Sequence, residues 1–326
     1  MRLHENKELL QDAIQAASQQ FEIREIYVEK DYWVTVALYH IFHSEFASQA
    51  VFKGGTALSK CHKLVERFSE DIDLVVLKNQ GETDNQLKRK IRSVSKSVEK
   101  VLPEIQVDGL TNKLGQIRKT VHRYDKIFEG DFGQAREHIV LEATWLGNAD
   151  PYTNKPVSCY ITEMLKSRGE EVVIAEYKMA PFEVQVLSEE RTFCEKIMSL
   201  VRFSRTETAI EDLKKKIRHV YDLHLMLNDE TIANFIEGDG FEAMLVQVGK
   251  DDIVSFKNNN DWVYAHPSEA IIFAEPEKTW ESIKVTYQTS FKEFVTGELP
   301  KEEAVIKSLQ TLSDRIKKVK WGLDNE

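Results

Sequence analysis

Two aspartates, Asp71 and Asp73, stand two positions apart where an apolar run begins, Ile72 and then Leu74-Val75-Val76-Leu77. That pattern predicts a strand buried on at least one side. On a strand, residues i and i+2 share a face about 6.6 Å apart, so the two carboxylates repel each other unless a cation joins them. Oxygen ligands of this hardness suit Mg²⁺ or Mn²⁺, ions that also take phosphate oxygens and water. Upstream, Val51-Phe52-Lys53 runs into Gly54-Gly55, a turn, with Thr56 as the expected cap of a helix over ALSKCHKLVERF. Backbone N–H groups at a glycine turn that opens a helix hold an anion, with the helix dipole behind them, and Lys60, Lys63 and Arg67 follow on that helix. A phosphate held beside a carboxylate-bound metal is what phosphoryl or nucleotidyl transfer requires, since its catalysis is mostly positioning and charge stabilisation.

The elements that would position these groups can be read in order. Residues 5–20 and 27–43 have helical periodicity, the second with Val34, Ala37, Leu38, Ile41 and Phe42 on one stripe. Glu29-Lys30-Asp31 opens that second helix, where acids are favoured by the dipole alone. A turn at 81–85 precedes a helix over 86–102. Residues 103–136 are mixed, with a basic cluster of Arg118, Lys119, His122, Arg123 and Lys126 that could face RNA. The run 138–146 predicts a strand carrying Glu142, either an edge residue facing water or a third carboxylate. A helix over 157–169 ends at Gly169, and 171–177 and 182–187 read as short strands. Ser188 caps a helix with Phe193, Ile197, Leu200 and Val201 along one stripe and Lys196 at its edge. A long helix over 208–228 places Arg218 and Asp222 at i,i+4, the spacing of a surface ion pair, with His219 as a hydrogen-bonding neighbour. A polar loop over 254–270 and helices over 277–296 and 301–320 close the chain. The expected architecture is α/β (α+β): a first domain over 1–150 and a mainly helical one over 151–326.

The combined pattern resembles the polymerase-beta type of nucleotidyltransferase fold. More narrowly, it is similar to the AbiEii/AbiGii toxin family, whose members carry GG-[ST]-x-L-x-K followed by R-x-S-x-D-x-D. Here these are Gly54 to Lys60 and Arg67 to Asp73. Two further stretches resemble the family's later motifs: R-T-x-x-E-K from Arg191 to Lys196, and R-x-x-Y-D-L from Arg218 to Leu223. The resemblance covers about residues 27–227. It implies a mixed sheet with flanking helices and a helical domain that brings Lys196 and Asp222 to the same cleft, as catalytic residues alongside Asp71 and Asp73. It further implies nucleotide binding by Gly54, Gly55, Thr56, Lys60, Arg67 and Arg218, and a metal on Asp71 and Asp73 with Glu142 as third ligand. The implied activity moves a nucleoside monophosphate from an NTP to an acceptor, an RNA 3′ end such as that of tRNA. The implied role is that of a type IV toxin in phage defence, encoded beside a winged-helix antitoxin. A small-molecule nucleotidyltransferase of the antibiotic-modifying kind, or a non-catalytic module that keeps the fold, would share parts of this pattern.

Composition narrows the classes. At 326 residues, with 42% hydrophobic and 30% charged residues, the chain reads as globular. It has no apolar stretch near the ~18–20 residues of a membrane span and no secretory signal at its start, so a cytoplasmic location is expected. Cys61, Cys159 and Cys194 have no metal-type spacing and suit a reducing compartment. A net charge of −10 confines any RNA contact to a local patch. The glycine turn lacks the GK[ST] of a P-loop.

Overall fold

The structure, a computed structural model, describes residues 1–113, 115–130 and 136–323. The chain forms two compact units. The first holds Met1–Lys63 and Phe68–Leu187; the second holds Leu64–Arg67 and everything from Ser188 onward. The first unit therefore runs past residue 150, because its sheet is not complete until residue 187.

Seven strands make up that sheet: β1 (Ala50–Lys53), β2 (Ile72–Val76), β3 (Glu104–Ile105), β4 (Ile117–His122), β5 (Ile139–Thr144), β6 (Tyr152–Val157) and β7 (Phe182–Leu187), in the order β3-β4-β5-β2-β1-β7-β6. β2 pairs antiparallel with β1 and parallel with β5. These three central strands are apolar on successive residues, Ala50-Val51-Phe52, Leu74-Val75-Val76 and Ile139-Val140-Leu141, as strands covered on both faces must be.

The covering helices of this unit are α1 (Lys7–Phe21), α2 (Glu25–Phe42), α3 (Gly54–Ala57), α4 (Asp84–Lys96), α5 (Tyr160–Ser167) and α6 (Glu171–Glu176). Asn6 caps α1 through Leu9 N, and Thr83 with Gln86 forms a full capping box on α4. α2 is buried on nearly every side and packs on β5 and β7. The expected strand over 171–177 is instead α6. Its β-branched residues suggest a strand, yet a strand would put Val172 and Ile174 on one face, whereas Val172 is 78% exposed and Ile174 6%.

The helix expected to run on to Phe68 stops early. α3 is four residues long, Leu58–His62 forms a wider π-turn, and Lys63 takes a left-handed conformation at φ 58°. The next four residues leave the first unit for the second, then the chain returns as Phe68 and enters β2.

The second unit is helical: α7 (Glu189–Phe203), α8 (Ala209–Lys215), α9 (Ile217–Leu227), α10 (Glu230–Glu237), α11 (Gly240–Ser255), α12 (Asp261–Tyr264), α13 (Ile271–Ala274), α14 (Pro276–Thr286) and α15 (Glu302–Ile316). Ser188 caps α7 by accepting from Arg191 N at 3.2 Å. The single helix expected over 208–228 is broken at Lys216, whose Nζ lies over the Phe203 ring. α10 and α11 have no counterpart among the elements expected from sequence, and α12 interrupts the expected polar loop. No described helix is long and apolar enough to cross a membrane.

Candidate active site

Asp73 is the centre of a row of charges that crosses four strands of the first unit. It lies opposite Lys53 of β1 on one side and Glu142 of β5 on the other, and Glu142 in turn lies opposite Lys119 of β4. The order across the sheet is cation, carboxylate, carboxylate, cation. Residues in register on neighbouring strands share a face, and Asp71, two residues before Asp73, falls on the same one. Lys119 Nζ pairs with Glu142 at 3.2 Å.

Burial, first, and then the charges of Asp71 and Glu142 push the Asp73 carboxyl up to about 7, against the opposing pull of Lys53 and Lys119. Three carboxylates are thus crowded around two flanking lysines. Gly54 is required at its position: it sits at φ +80°, and a Cβ there would run into Asp73 Oδ2. The glycine turn works by letting backbone approach a carboxylate. With α3 only one turn long, little helix dipole stands behind it.

Thr56, expected as a cap, lies inside α3. Its hydroxyl donates to Asp71 O at 2.6 Å and shares a 2.9 Å bond with Ser69 Oγ, so it braces the entrance to β2. Asp71 itself precedes the strand and is gripped by Arg136, whose Nη1 lies 2.7 and 2.6 Å from its two oxygens.

Lys60 does not extend toward a ligand. It is buried and donates to Asp31 at 2.5 Å and to Ser158 O at 3.1 Å. The acids of α2 have more to do than favour a helix end: Glu29 accepts from the backbone of Ile127 and Phe128, and Asp31 accepts from Tyr160 N as well as Lys60. Lys63 pairs with Glu163 at 2.9 Å. The basic cluster of 118–126 is likewise dispersed. Arg118 bonds Ser95 and Glu104, Lys126 bonds Glu137, and His122 is buried between Thr120 and Leu102 O. Only Arg123 of that cluster is exposed.

In the second unit, Asp222 is fully buried and saturated by cations. Arg67 grips it with Nε at 2.6 Å and Nη2 at 2.7 Å, and Lys196 Nζ adds a bond of 2.6 Å. Burial alone would raise this carboxyl; Arg67 and Lys196 hold it far below the usual aspartate range. The expected surface pair of Arg218 with Asp222 does not form, because both carboxylate oxygens are turned inward to these partners. Arg218 is half-buried near Lys196. His219 is kept neutral, by burial first and then by Lys196 and Lys216, and its Nδ1 has no hydrogen-bond partner among the described residues. The triad ties Leu64–Arg67 to this unit, helped by Tyr221 Oη donating to Glu66 O and by a bridge between Arg67 and Val295. Arg191 of the third motif is buried against Glu195 and Asp251.

Arg136 and Lys53 are two members of these networks to which the sequence assigns no role, and the pairing of Asp31 with Lys60 is not foreseen there either. Their partners lie far along the chain, and only Lys53, immediately before Gly54-Gly55, has a local signal.

The donor set suits a hard divalent cation: Asp71 and Asp73 present carboxylate oxygens that repel one another, with Glu142 beside them. Among the described residues, no three His, Cys, Asp or Glu side chains are gathered closely enough to hold an ion as they stand. Arg136 and Lys119 instead occupy two of the carboxylates.

Residues 36–318 match the family described as nucleotidyl transferase AbiEii toxin, type IV TA system. The chain belongs to this family. It is therefore a nucleotidyltransferase, of the toxin kind found in type IV toxin–antitoxin pairs. A similar solved structure is MenT4, a nucleotidyltransferase toxin of Mycobacterium tuberculosis H37Rv, 16% identical, with a TM-score of 0.45 over 92% of this chain and 98% of that one. No curated protein matches the chain. The stretches from Gly54 to Lys60 and from Arg67 to Asp73 lie within the matched residues.

Proposed function

We propose that this transferase moves a nucleoside monophosphate from an NTP to the 3′ end of an RNA, with tRNA as the acceptor, using a divalent cation held by Asp71 and Asp73. The observation that carries the reading is the charge row Lys53–Asp73–Glu142–Lys119, in which the Asp73 carboxyl is pushed up to about 7, by burial first and then by Asp71 and Glu142. Such crowding is relieved by a cation, and Mg²⁺ or Mn²⁺ would supply charge neutralisation for the triphosphate and activation of the attacking hydroxyl. Asp71 and Asp73 would hold it, with Glu142 as the third carboxylate once Lys119 turns aside. In the reaction the acceptor oxygen bonds to the α-phosphorus, the bond to the bridging oxygen breaks, and pyrophosphate leaves. The hydroxyl proton passes to a carboxylate of the row or to water.

Gly54 brings backbone close to Asp73, and Thr56 fixes the carbonyl of Asp71. Lys196, Asp222 and Arg67 hold the segment Leu64–Arg67 within the second unit. A protein with this activity works in the cytoplasm, in phage defence, restrained by a winged-helix antitoxin.

The RNA acceptor rests on family membership, because most of the basic residues expected to form a track are paired with acids. That pairing, on a chain of net charge −10, favours as second reading a small hydroxyl compound as acceptor. Incubation with total RNA, Mg²⁺ and each labelled NTP decides between them. A labelled tRNA-sized band, weaker as salt rises, is the expected result; unlabelled RNA with a labelled small molecule establishes the second reading.

A further inference from the structure

Arg136 is held in place by more than its ion pair. Its backbone N donates to Glu70 Oε1 at 3.1 Å, and its backbone O accepts from Lys30 Nζ. Glu70 and Lys30 are both buried, Lys30 completely. A buried lysine on α2 and a buried glutamate at the mouth of β2 thus grip the peptide groups on the two sides of one residue. The side chain that this grip aims remains partly open to solvent: Arg136 and Asp71 are 33% and 25% exposed. Its guanidinium lies over both oxygens of Asp71, and the charge of Asp73 also acts on it.

Burying two charged residues beside an arginine backbone is costly, their mutual attraction offsets part of that cost, and a surface ion pair adds little. The grip makes physical sense if the guanidinium has a second partner. A cation bound to Asp71 takes up a lone pair on an oxygen that Arg136 now contacts, so the two positive charges repel and compete there. That repulsion favours a shift of the guanidinium while its backbone stays fixed. The partner it meets is the anion that arrives with the cation, and a planar fork of donors matches phosphate oxygens well.

We propose that Arg136 is a triphosphate-binding residue of this transferase that covers Asp71 until the metal and nucleotide enter, then transfers its guanidinium from Asp71 to the phosphates. This rests on the metal-site reading above. It assigns to Arg136 two opposite effects: competition with a bare cation and cooperation with a cation that carries polyphosphate.

Both effects are measurable without turnover and without knowing the base. Mn²⁺ binding is followed by electron paramagnetic resonance, and inorganic tripolyphosphate binding by calorimetry in the presence of Mn²⁺. Arg136→Ala should bind bare Mn²⁺ at least as tightly as wild type, yet bind tripolyphosphate with Mn²⁺ about tenfold more weakly, the loss of a charge-assisted pair. Arg136→Lys, which keeps the charge and loses the fork, should lie between. Equal weakening of both ligands in Arg136→Ala would show a merely structural role and overturn the proposal. Wild-type affinity for both would overturn it as well, and would leave the metal site intact. A wild-type chain that binds neither Mn²⁺ nor tripolyphosphate overturns the metal-site reading, and this inference with it.

Discussion

Asp73 and Glu142 face each other in register on neighbouring parallel strands, each with a lysine on its outer side. Two like charges placed this way on a sheet destabilise it. The fold accepts that cost and offsets it with Lys53 and Lys119 in the row and with Arg136 on Asp71, cations with which a dication would compete for the carboxylates.

Gly54 keeps this site open. Gly54→Ala forces a side chain into a left-handed backbone, at about 1–2 kcal/mol, and drives its Cβ into Asp73 Oδ2. Gly81 has a similar φ of +84° with open space around it, so Gly81→Ala isolates the backbone cost. Urea denaturation should show Gly54→Ala as the less stable of the two, and only Gly54→Ala should lose Mn²⁺ affinity.

Lys196→Ala and Asp222→Ala should each destabilise the second unit strongly. Removing one partner of a buried charge network leaves the others unpaired and costs about 3–5 kcal/mol. A surface pair between Arg218 and Asp222, which the i,i+4 spacing suggests, would cost only a few tenths. Denaturation midpoints of both variants and of Arg218→Ala separate the two cases: only the first two should fall far.

The same triad sets an acid limit. The Asp222 carboxyl is depressed below its ordinary value of 3.8 by Arg67 and Lys196. A depressed carboxyl gives stability that is fully present above the unfolded value and is lost as pH falls below it toward the folded one. Stability of wild type should therefore begin to drop as pH falls through about 4 and go on dropping below it, and the drop should shrink in Asp222→Asn, measured by urea midpoints across that range.

Much of the first unit can be read from local sequence, because its signals are local. A glycine pair at a turn, an aspartate pair entering an apolar run, and Ser188 or Thr83 before a helix each act within a few residues. What cannot be read are the partners of buried charges. Lys60 finds Asp31 across 29 positions, Arg136 finds Asp71 across 65, and Arg67 finds Asp222 across 155. A lysine five residues past a glycine turn looks the same in sequence whether it meets a phosphate or a buried aspartate. The excursion of Leu64–Arg67 is hidden for the same reason: a helical pattern continues through it, and only the distant triad draws it away. In α6 the β-branched residues mislead, since a short segment follows packing over propensity.

All three cysteines should be inert in the native chain. Burial pushes Cys61 up to about 12 and Cys159 up to about 11, and raises Cys194 well above the usual thiol range. The thiolate is the reactive form, so a disulfide reagent near neutral pH should titrate no thiol before unfolding and all three, Cys61, Cys159 and Cys194, in denaturant.

The most direct test of the Asp73-centred site is transfer by Asp73→Ala. The variant should fold with a melting temperature no lower than wild type by more than a few degrees, since it removes one of several mutually repelling carboxylates. With labelled NTP, total RNA and Mg²⁺, its transfer should fall below about a tenth of wild type, and chelation of the metal should abolish what wild type does. A folded Asp73→Ala chain that transfers at more than that level, or wild-type transfer that survives chelation, contradicts the assignment of catalysis to a cation on Asp71 and Asp73.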